Sequence, residues 1–284
     1  MKLLVFGETG QVAREIAALA GEDLTIETVP RSRADFAEPD AASQVVAQCD
    51  ADAVINAVAY TAVDKAEEEE ALARQINAVT PGAIARACAG KGLPFVHIST
   101  DYVFNGSGTT PRSPDAAVAP LGAYGRTKLA GEEAVRAAGG VYVILRTSWV
   151  FSAHGANFVK TMLRLGAERE RLTIVDDQRG GPTAAADIAG ACVAMARALT
   201  QAPEKSGTYH YSGAPDVSWA EFAREIFARA KLPCEVAPIP SSDYPTPAAR
   251  PLNSRLDCRA SEATFGLPRP DWRVALDRVL SQQT

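Results

Sequence analysis

The sequence predicts an α/β fold, with a doubly wound parallel sheet and a smaller, partly interleaved C-terminal domain. Short β-rich runs alternate with Ala-rich helical patterns through the first 150 residues. This alternation is typical of a parallel sheet with helices on both faces. The strand runs are continuously apolar, as strands buried on both sides should be. Beyond about Phe151 the alternation loosens, which predicts a separate second domain.

The predicted elements follow one another along the chain. Strands are expected at "KLLVF", "LTIETV", "DAVINAVA", "PFVHIST" and "VYVILRTSW". Helices between them are expected at "QVAREIAALA", from about Asp40, at "ALARQINAVTPGAIARACAG" and around "AYGRTKLAGE". Later helices are expected at "NFVKTMLRL", "ADIAGACVAMARAL" and "SWAEFAREIFARA", whereas the prolines of "PIPSSDYPTPAARPLNS" predict a long ordered loop. We place one domain at residues 1–150 and a second mainly at residues 151–284, leaving open whether segments return to the sheet.

Composition excludes several classes of partner. The formal net charge is −5 and no Lys or Arg residues cluster, so we expect no nucleic acid polymer as a ligand. No apolar stretch reaches the ~18 residues of a membrane span, and "MKLLVFG" is too short an apolar run for a signal peptide. The five cysteines are widely spaced and include no C-x-x-C pair, which favours a reduced, cytoplasmic location. The run "EEEE" at residues 67–70 is interpreted as the solvated first turns of a helix.

A glycine-rich turn follows the first predicted strand. In "VFGETGQVA", Gly7 and Gly10 precede Ala13, which stands where the third small residue of a dinucleotide-binding motif would lie. Such glycines allow a tight turn and bring the start of the next helix against a pyrophosphate. The alternative is a turn that binds nothing, but its place on the first strand of an alternating fold favours a Rossmann-type nucleotide site.

The end of the second strand bears on the choice of cofactor. An NAD-preferring site usually has an acidic residue there, about twenty residues after the glycines, to bind the ribose hydroxyls. This chain has "VPRSR", with Arg31 and Arg33, whose guanidinium groups suit a 2'-phosphate. We therefore predict NADPH, with NADH still open; the alternative is two loop arginines in water.

Two further patterns point to a reaction site. "HISTDYVF" ends the fourth strand, so Thr100 lies at the sheet edge where ligands of doubly wound folds bind. In "AYGRTKLAGE", Tyr124 precedes Lys128 by four residues, which places both on one helix face. Alone, Thr100 could simply form local hydrogen bonds and the pair could be a surface contact.

Taken together, these motifs resemble the extended short-chain dehydrogenase/reductases and, most closely, the family of dTDP-4-dehydrorhamnose reductases. The resemblance covers nearly the whole chain and is carried by "FGETGQVA", "NAVAYTAVDKAE", "STDYVFNG", "YGRTKLAGE", "RTSWVF", "DDQRGGPT" and "YPTPAARPLNSRLD". The last four are specific to this reductase family. The resemblance implies that Thr100, Tyr124 and Lys128 are the catalytic residues.

The resemblance also implies two sets of binding residues. The cofactor-binding set is Gly7, Gly10, Gln11, Val12, Arg31, Asp35, Phe36, Ala57, Val58, Ala59, Tyr124 and Lys128. The substrate-binding set is Thr61, Val63, Thr100, Tyr102, Tyr124, Trp149, Arg250 and Asn253. Trp149 could instead be a core residue, and Arg250 a solvated charge rather than a clamp for a pyrophosphate.

We predict that the site holds no metal ion and uses no histidine. Some members of the resembled family bind magnesium at a dimer contact, and Glu15 matches one ligand. Ala186 stands where another acidic ligand is expected, so we predict no metal. His97, His154 and His210 are scattered along the chain, and we interpret them as structural.

The implied activity is NADPH-dependent reduction of the 4-keto group of dTDP-4-dehydro-L-rhamnose to dTDP-L-rhamnose. Tyr124 would donate the proton, with a pKa lowered by Lys128 and by the positive charge of the oxidised nicotinamide. Lys128 would also hold the nicotinamide ribose. The expected partner is therefore a dTDP-sugar, with a homodimer left open. Two alternatives remain: a reductase of a related 4-keto-6-deoxy sugar nucleotide, and a non-catalytic NADP-binding regulatory subunit.

Overall fold

A six-stranded parallel sheet forms the centre of the computed structural model, which describes residues 1–282. The strands are β1 (Lys2–Phe6), β2 (Thr25–Val29), β3 (Ala53–Asn56), β4 (Phe95–Thr100), β5 (Tyr142–Thr147), β6 (Val150–Phe151), β7 (Arg171–Val175), β8 (Arg179–Gly180), β9 (Thr183–Ala184), β10 (Gly207–His210), β11 (Val217–Ser218), β12 (Glu235–Ile239) and β13 (Asn253–Ser254). The central sheet has the order β10-β5-β4-β3-β1-β2. The predicted α/β class and its five N-terminal strands are confirmed.

The helices cover both faces of this sheet and fill the C-terminal region. They are α1 (Gln11–Ala17), α2 (Pro39–Gln48), α3 (Glu70–Arg74), α4 (Thr80–Lys91), α5 (Ala123–Ala137), α6 (Phe158–Glu168), α7 (Ala185–Gln201), α8 (Trp219–Ala230), α9 (Arg259–Phe265) and α10 (Trp272–Ser281). No helix among the described residues is long and apolar enough to span a membrane.

Alternation along β1 explains why the sheet is buried on both sides. Leu3 and Val5 pack in a core that includes α7, while Leu4 and Phe6 pack in a second core on the other face with α2 and α4. Successive side chains of a strand point to opposite faces, so a continuously apolar strand supplies both cores. The sequence pattern therefore dictates a three-layer arrangement.

The strand order places a crevice at the carboxyl ends of β1 and β3. β1 pairs with β2 on one side and with β3 on the other, so the winding direction reverses between β1 and β3. Ligands of open α/β sheets bind outside the carboxyl ends of the strands at such a reversal. At this edge, Phe6 of β1 lies opposite Asn56 of β3, and Thr100 of β4 lies opposite Thr147 of β5.

The C-terminal region has its own core but is not separate from the sheet. Phe151, Phe222 and Trp272 pack together in a third core formed largely by α6, α8 and α10. β7 pairs with β12, and β8 lies between β11 and β13. However, β10 pairs with β5 in the central sheet and α7 packs on its face. The predicted domain boundary near residue 150 therefore stays a prediction. The last two residues of the predicted second domain, 283 and 284, lie outside the described residues.

The proline-rich segment differs in part from the predicted loop. Pro238 and Ile239 belong to β12, which pairs in parallel with β7, and Asn253 and Ser254 form β13 beside β8. Proline is accepted at the edge of a sheet because its missing N–H can face away from the partner strand. The residues between these strands contain only one short 3-10 turn, Ser241–Asp243.

Candidate active site

The carboxyl end of β4 and the first turns of α5 bring the three predicted catalytic residues together. Thr100 is the last residue of β4, and Tyr124 and Lys128 lie one turn apart in α5. The ammonium nitrogen of Lys128 donates a hydrogen bond to the carbonyl oxygen of Ile98, 2.7 Å away. Tyr124 shares a hydrogen bond with the side chain of Thr100. A carbonyl compound in the crevice would thus meet a phenol and a hydroxyl on the same side.

Close backbone contacts fix the start of α5. The helix is preceded by Gly122 in an extended conformation, and the Ala123 N–H donates to the carboxylate of Glu67 over 2.7 Å. A Cβ atom on Gly125 would overlap the carbonyl oxygen of Tyr102. The turn that carries Tyr124 therefore packs directly against the segment that follows β4, and only glycine fits at position 125.

Burial dominates the acidity of Tyr124. It raises the pKa of the phenol to about 12, and the hydrogen bond with Thr100 offsets only part of that rise. The predicted lowering of this pKa by Lys128 is not observed in the protein without cofactor, and the effect of the nicotinamide charge stays a prediction. The physical reason is that the Lys128 amine faces Ile98 and His97, while the phenol sits in a desolvated site where the charged form is disfavoured.

Lys128 is itself a buried titratable group. Its side chain is only 1% exposed, and burial lowers its pKa to about 8, although the nearby Glu132 carboxylate acts in the opposite direction. Lysine is rarely buried to this extent without a directly paired acid. The charge of Lys128 is therefore sensitive to its immediate surroundings.

Asp101 and Tyr102 complete the wall beside Thr100. The Thr100 hydroxyl donates to Oδ1 of Asp101 over 3.1 Å, and burial raises the pKa of that carboxyl to about 6. Its other oxygen, Oδ2, is buried without a hydrogen-bond partner. The ring of Tyr102 contacts Tyr124 edge to face, with centroids 5.5 Å apart.

The glycine-rich turn has the features that a dinucleotide needs. Gly7 has a φ of 110°, a conformation that favours glycine, and a Cβ there would lie 3.3 Å from Val58. Gly10 is exposed, and as the residue before α1 it makes no side-chain cap, so the first amides of the helix are not covered by one. A pyrophosphate could therefore approach the backbone here, and the residues present fit this part of NADPH.

The other predicted cofactor residues lie along the same edge of the sheet. Ala57, Val58 and Ala59 follow β3 and are half-buried. Gln11 is tied to the C-terminal region, because its side-chain oxygen accepts hydrogen bonds from Ser152 (2.9 Å) and Asn157 (3.1 Å). Val12 packs against the core that includes α7.

The residues after β2 form ion pairs at the surface. Arg31 pairs with Asp35 at 3.0 Å, and Arg33 pairs with Glu27 at 2.6 Å. The Arg31 side chain is 83% exposed, so its guanidinium group remains accessible to a phosphate. Phe36 is buried: its ring packs edge to face on Phe6, and its carbonyl oxygen accepts a hydrogen bond from the buried Thr80 hydroxyl.

Arg250 and Trp149, both predicted substrate residues, have well-defined partners. The guanidinium group of Arg250 binds both carboxylate oxygens of Asp64, over 3.0 and 2.8 Å. Trp149 has a positive φ of 50° and stacks on Trp219, with ring centroids 3.6 Å apart. A φ in this range is uncommon for a bulky side chain and marks a strained position.

The remaining predicted substrate residues differ in accessibility. Thr61 is exposed and Val63 is half-buried, so both can be reached from the crevice side of β3. Asn253 is only 2% exposed, and its side chain already pairs with the Thr110 carbonyl and with Arg255. The structure therefore does not present the amide of Asn253 to a ligand in this conformation.

Comparison with known proteins identifies the family. A family model described as the RmlD substrate binding domain matches residues 1–284. The chain belongs to the RmlD substrate binding domain family. Among curated relatives, the dTDP-4-dehydrorhamnose reductase of Sinorhizobium fredii is 41% identical over 286 residues, covering 99% of this chain and 97% of that protein. The reductase of the same name from Escherichia coli K12 is 40% identical over 292 residues, covering 99% and 98%.

Solved structures of this family are similar over the whole chain. A dTDP-4-dehydrorhamnose reductase from Clostridium acetobutylicum has a TM-score of 0.93 and 36% identity, covering 100% of this chain and 99% of that one. The Bacillus anthracis reductase, whose structure is a complex with NADP, has a TM-score of 0.91 and 35% identity, covering 99% of each chain. The resemblance inferred from the motifs is confirmed.

Several residues of this family site carry no recognisable sequence signal. Glu67, part of the acidic run, was expected in solvent but accepts the hydrogen bond from Ala123 at the start of α5. Its neighbours Glu69 and Glu70 bind Tyr60 and Arg126. Each of these contacts forms only when the chain is folded. The charge run alone therefore predicts only a solvated helix.

The surroundings of Glu15 bear on the predicted absence of a metal ligand at Ala186. The described residues contain no group of three or more His, Cys, Asp or Glu side chains arranged to hold one. Glu15 instead lies 3.6 Å from the imidazole of His154. Next to it, the segment that begins α7 has Ala185 and Ala186, which offer no side-chain ligand.

Proposed function

We propose that this protein reduces the 4-keto group of dTDP-4-dehydro-L-rhamnose to give dTDP-L-rhamnose, with NADPH as the reductant. The observation that carries the proposal is the placement of Thr100, the half-buried Tyr124 and the buried Lys128 side by side at the crevice of the sheet. Relatives about 40% identical over nearly their whole length bear the name of this reductase, and a structural relative binds NADP.

Proton donation is assigned to Tyr124. NADPH, when bound, supplies the hydride that adds to the carbonyl carbon. With a pKa of about 12, the phenol is protonated at neutral pH and so holds the proton that the carbonyl oxygen needs. The Thr100 hydroxyl, which donates to Asp101 in this structure, also lies within hydrogen-bond reach of this phenol. With substrate bound, its proton would turn from Asp101 to the same carbonyl oxygen as negative charge develops there.

Binding of the two ligands is assigned to the two sides of the crevice. Gly7 and Gly10, followed by Gln11 and Val12, would hold the pyrophosphate of the cofactor, and Arg31 its 2'-phosphate. On the other side, Arg250 would bind the pyrophosphate of the sugar nucleotide, and Trp149 would face the sugar. A cytoplasmic location belongs to the proposal as well, because all five cysteines are free.

The deciding experiment combines the purified protein with dTDP-4-dehydrorhamnose and NADPH and follows the product by NMR. The expected product is dTDP-L-rhamnose, formed as NADPH absorbance decays. A C4 epimer would assign the chain to a related 4-keto-6-deoxy sugar reductase. NADPH binding without turnover would instead support a regulatory NADP-binding subunit.

Replacing Tyr124 with phenylalanine tests the proton donor. Tyr124→Phe keeps the buried ring but removes the proton, so kcat should fall by roughly 10²–10⁴-fold while NADPH affinity is retained. Single-turnover decay of NADPH absorbance measures the effect. Tyr209→Phe is the matched control, because Tyr209 lies on β10 and its phenol donates to the Lys205 carbonyl, not to any of the three proposed catalytic residues. Near-normal hydride transfer in Tyr124→Phe would assign the proton to another group.

A further inference from the structure

A chain of buried hydrogen bonds leads from β3 to the amine of Lys128. The Oδ1 atom of Asn56 accepts from the Val58 N–H over 2.9 Å, which fixes the orientation of its amide. The Nδ2 atom of Asn56 then lies 3.1 Å from Nδ1 of His97. Reversing the amide would set Nδ2 against the Val58 N–H, a contact of two donors. Asn56 is 1% exposed and His97 is fully buried, so water does not compete for these groups.

The orientation of Asn56 determines the tautomer of His97. Because Nδ2 is a donor only, Nδ1 of the ring must accept, and a neutral imidazole then carries its proton on Nε2. Burial holds the pKa of His97 well below its usual value, in keeping with a neutral ring. The Nε2–H group lies 3.4 Å from the Nζ atom of Lys128. A hydrogen-bond donor is therefore aimed at a lysine amine.

We propose that Asn56 and His97 are positioning residues that set the placement and the protonation state of Lys128 through this hydrogen-bond chain. A neutral amine satisfies both neighbours, since it donates to the Ile98 carbonyl and accepts from Nε2–H of His97. An ammonium group has no lone pair, so it keeps the bond to Ile98 but faces the Nε2–H as a second donor.

His210 provides an internal comparison on the neighbouring part of the sheet. Its Nδ1 donates to the Arg112 carbonyl over 3.0 Å, so its Nε2 is an acceptor, and Nε2 faces the Arg146 guanidinium group at 3.4 Å. The buried ring of His210 thus offers a lone pair to the permanently charged Arg146. His97 has the opposite tautomer and presents an N–H to Lys128, which favours the neutral amine over the ammonium form.

The other ionisable groups around Lys128 agree with this role. Tyr124 lies one turn before it on α5 and Glu132 one turn after it. The Glu132 carboxylate favours the ammonium form, but Arg146 of β5 binds both of its oxygens, and Arg136 and Ser99 also donate to it. Because that charge is largely compensated, burial and the imidazole determine the protonation state of Lys128, in line with its pKa of about 8.

The consequence is a pH-dependent charge beside Tyr124. If the ammonium form of Lys128 is the active one, the rate falls as pH rises past the pKa of Lys128, giving a basic limb near pH 8. Only this kinetic consequence rests on the proposed reductase activity. The tautomer of His97 is a property of the folded protein alone.

The first test is long-range ¹H–¹⁵N NMR on the full chain with ¹⁵N-labelled histidine. We expect His97 to be the neutral Nε2–H tautomer from pH 5 to 9, and His210 to be the Nδ1–H tautomer in the same spectrum. An Nδ1–H ring or an imidazolium at position 97 would overturn the proposal. This measurement needs no variant, so it decides the proposal even if the wild-type chain shows no turnover, a result that would overturn the proposed function only.

The second test reverses the chain of hydrogen bonds with Asn56→Asp. A carboxylate oxygen in place of Nδ2 accepts from Nδ1–H, so Nε2 of His97 becomes an acceptor for the Lys128 ammonium. The basic limb of the kcat profile should then move upward by about one pH unit or more, with little change in KM.

Two further variants make this second test specific. Asn56→Ser, which adds no charge, should move the limb in the same direction by a smaller amount. The control is Asn77→Asp, because Asn77 is equally buried but binds Tyr60 and Thr127, not His97; its limb should stay in place. An unchanged limb in both Asn56 variants, or an equal shift in Asn77→Asp, would overturn the proposal.

Discussion

Arg250 is already engaged by an acidic side chain, which changes what its role in binding would require. Both of its terminal nitrogens bind the carboxylate of Asp64, and one also donates to the Ala248 carbonyl. The Asp64 carboxylate keeps the pKa of Arg250 raised, so the guanidinium group is charged throughout the working range. A phosphate that binds Arg250 must therefore share it with Asp64 or displace Asp64.

Arg250→Ala should weaken binding of the dTDP-sugar by about 1.5–3 kcal/mol, because a charge-assisted contact is lost, while NADPH affinity stays nearly constant. Isothermal titration calorimetry with each ligand measures both effects. Arg171→Ala is the control, since Arg171 is exposed and pairs with Glu235 only at 3.7 Å. A loss confined to NADPH binding would move Arg250 to the cofactor side of the crevice.

Cofactor preference depends on the exposed arginines after β2. In Arg31→Ala, the kcat/KM for NADPH should fall roughly tenfold or more while that for NADH changes little, because only NADPH carries the 2'-phosphate. Arg33→Ala should have a smaller effect, since Arg33 is less exposed and is held by Glu27 at 2.6 Å. Steady-state kinetics with both cofactors measure the ratio. Equal efficiency of the wild-type protein with NADPH and NADH would contradict the assignment.

At the level of single residues, sequence reasoning finds groups whose position follows from one element. Thr100 is located by the end of a strand, and Tyr124 and Lys128 by helical spacing. It misses the contacts of Asp64 with Arg250 and of Trp219 with Trp149, because each joins residues far apart in sequence. It also misjudges the pKa of Tyr124, since desolvation depends on what covers the phenol.

The helix of the active site packs on a distorted turn of another helix. α3 and α4 are joined by a π-helical segment, Gln75–Val79, in which Asn77 is fully buried. The Asn77 side chain binds the backbone of Tyr60 and the hydroxyl of Thr127 in α5. Such π-helical turns are often found at functional sites. Here the turn connects the residues after β3 with the helix that carries Tyr124.

Gly131→Ala tests how close this packing is. A Cβ at position 131 would overlap the carbonyl oxygen of Asn77, so we expect the free energy of unfolding to fall by about 1–3 kcal/mol. Gly90→Ala is the matched control, because Gly90 lies in α4 and an added Cβ would have no side chain and no other element within 4 Å. That change should be stabilising by up to ~1 kcal/mol, since alanine favours a helix. Urea unfolding of both variants gives the comparison, and equal stabilities would contradict close packing at Gly131.

Among the elements, length determines what the sequence predicts. The five N-terminal strands and the helices α6, α7 and α8 carry enough periodic residues to be recognised. The two-residue strands β8, β11 and β13 do not, because a strand that short is defined only by its partners. The π-helical turn is likewise invisible, since its residues fit an ordinary helix.

Over the whole molecule, buried histidines make stability depend on pH. Burial lowers the pKa of His210 to about 3 and that of His97 well below its usual value. Between pH 6.5 and those lowered values the unfolded chain binds protons that the folded chain does not, so stability falls as pH falls. Asp101 acts in the opposite direction, because its raised pKa of about 6 lets the folded state take up a proton first.

From pH 7.5 to pH 5, each buried histidine should cost about 2 kcal/mol of unfolding free energy, and Asp101 should return about 1 kcal/mol. His210→Gln removes one titrating ring, so the difference in stability between the two pH values should shrink by about two thirds, from about 3 to about 1 kcal/mol. Urea denaturation at both pH values measures it. The same pH dependence in the variant and the wild-type protein would show that His210 does not titrate on unfolding.

The return of β10 to the central sheet has a consequence for synthesis of the chain. When β5 leaves the ribosome, its outer edge lacks the partner that Gly207–His210 will provide, and the sheet face that α7 covers is still bare. Unpaired strand edges and exposed apolar faces are where nascent proteins aggregate or recruit chaperones. The residues proposed to bind the cofactor are all made by then, yet the sheet that holds them is completed only when the edge strand emerges. Newly made chains are therefore most vulnerable between the synthesis of Thr147 and that of His210.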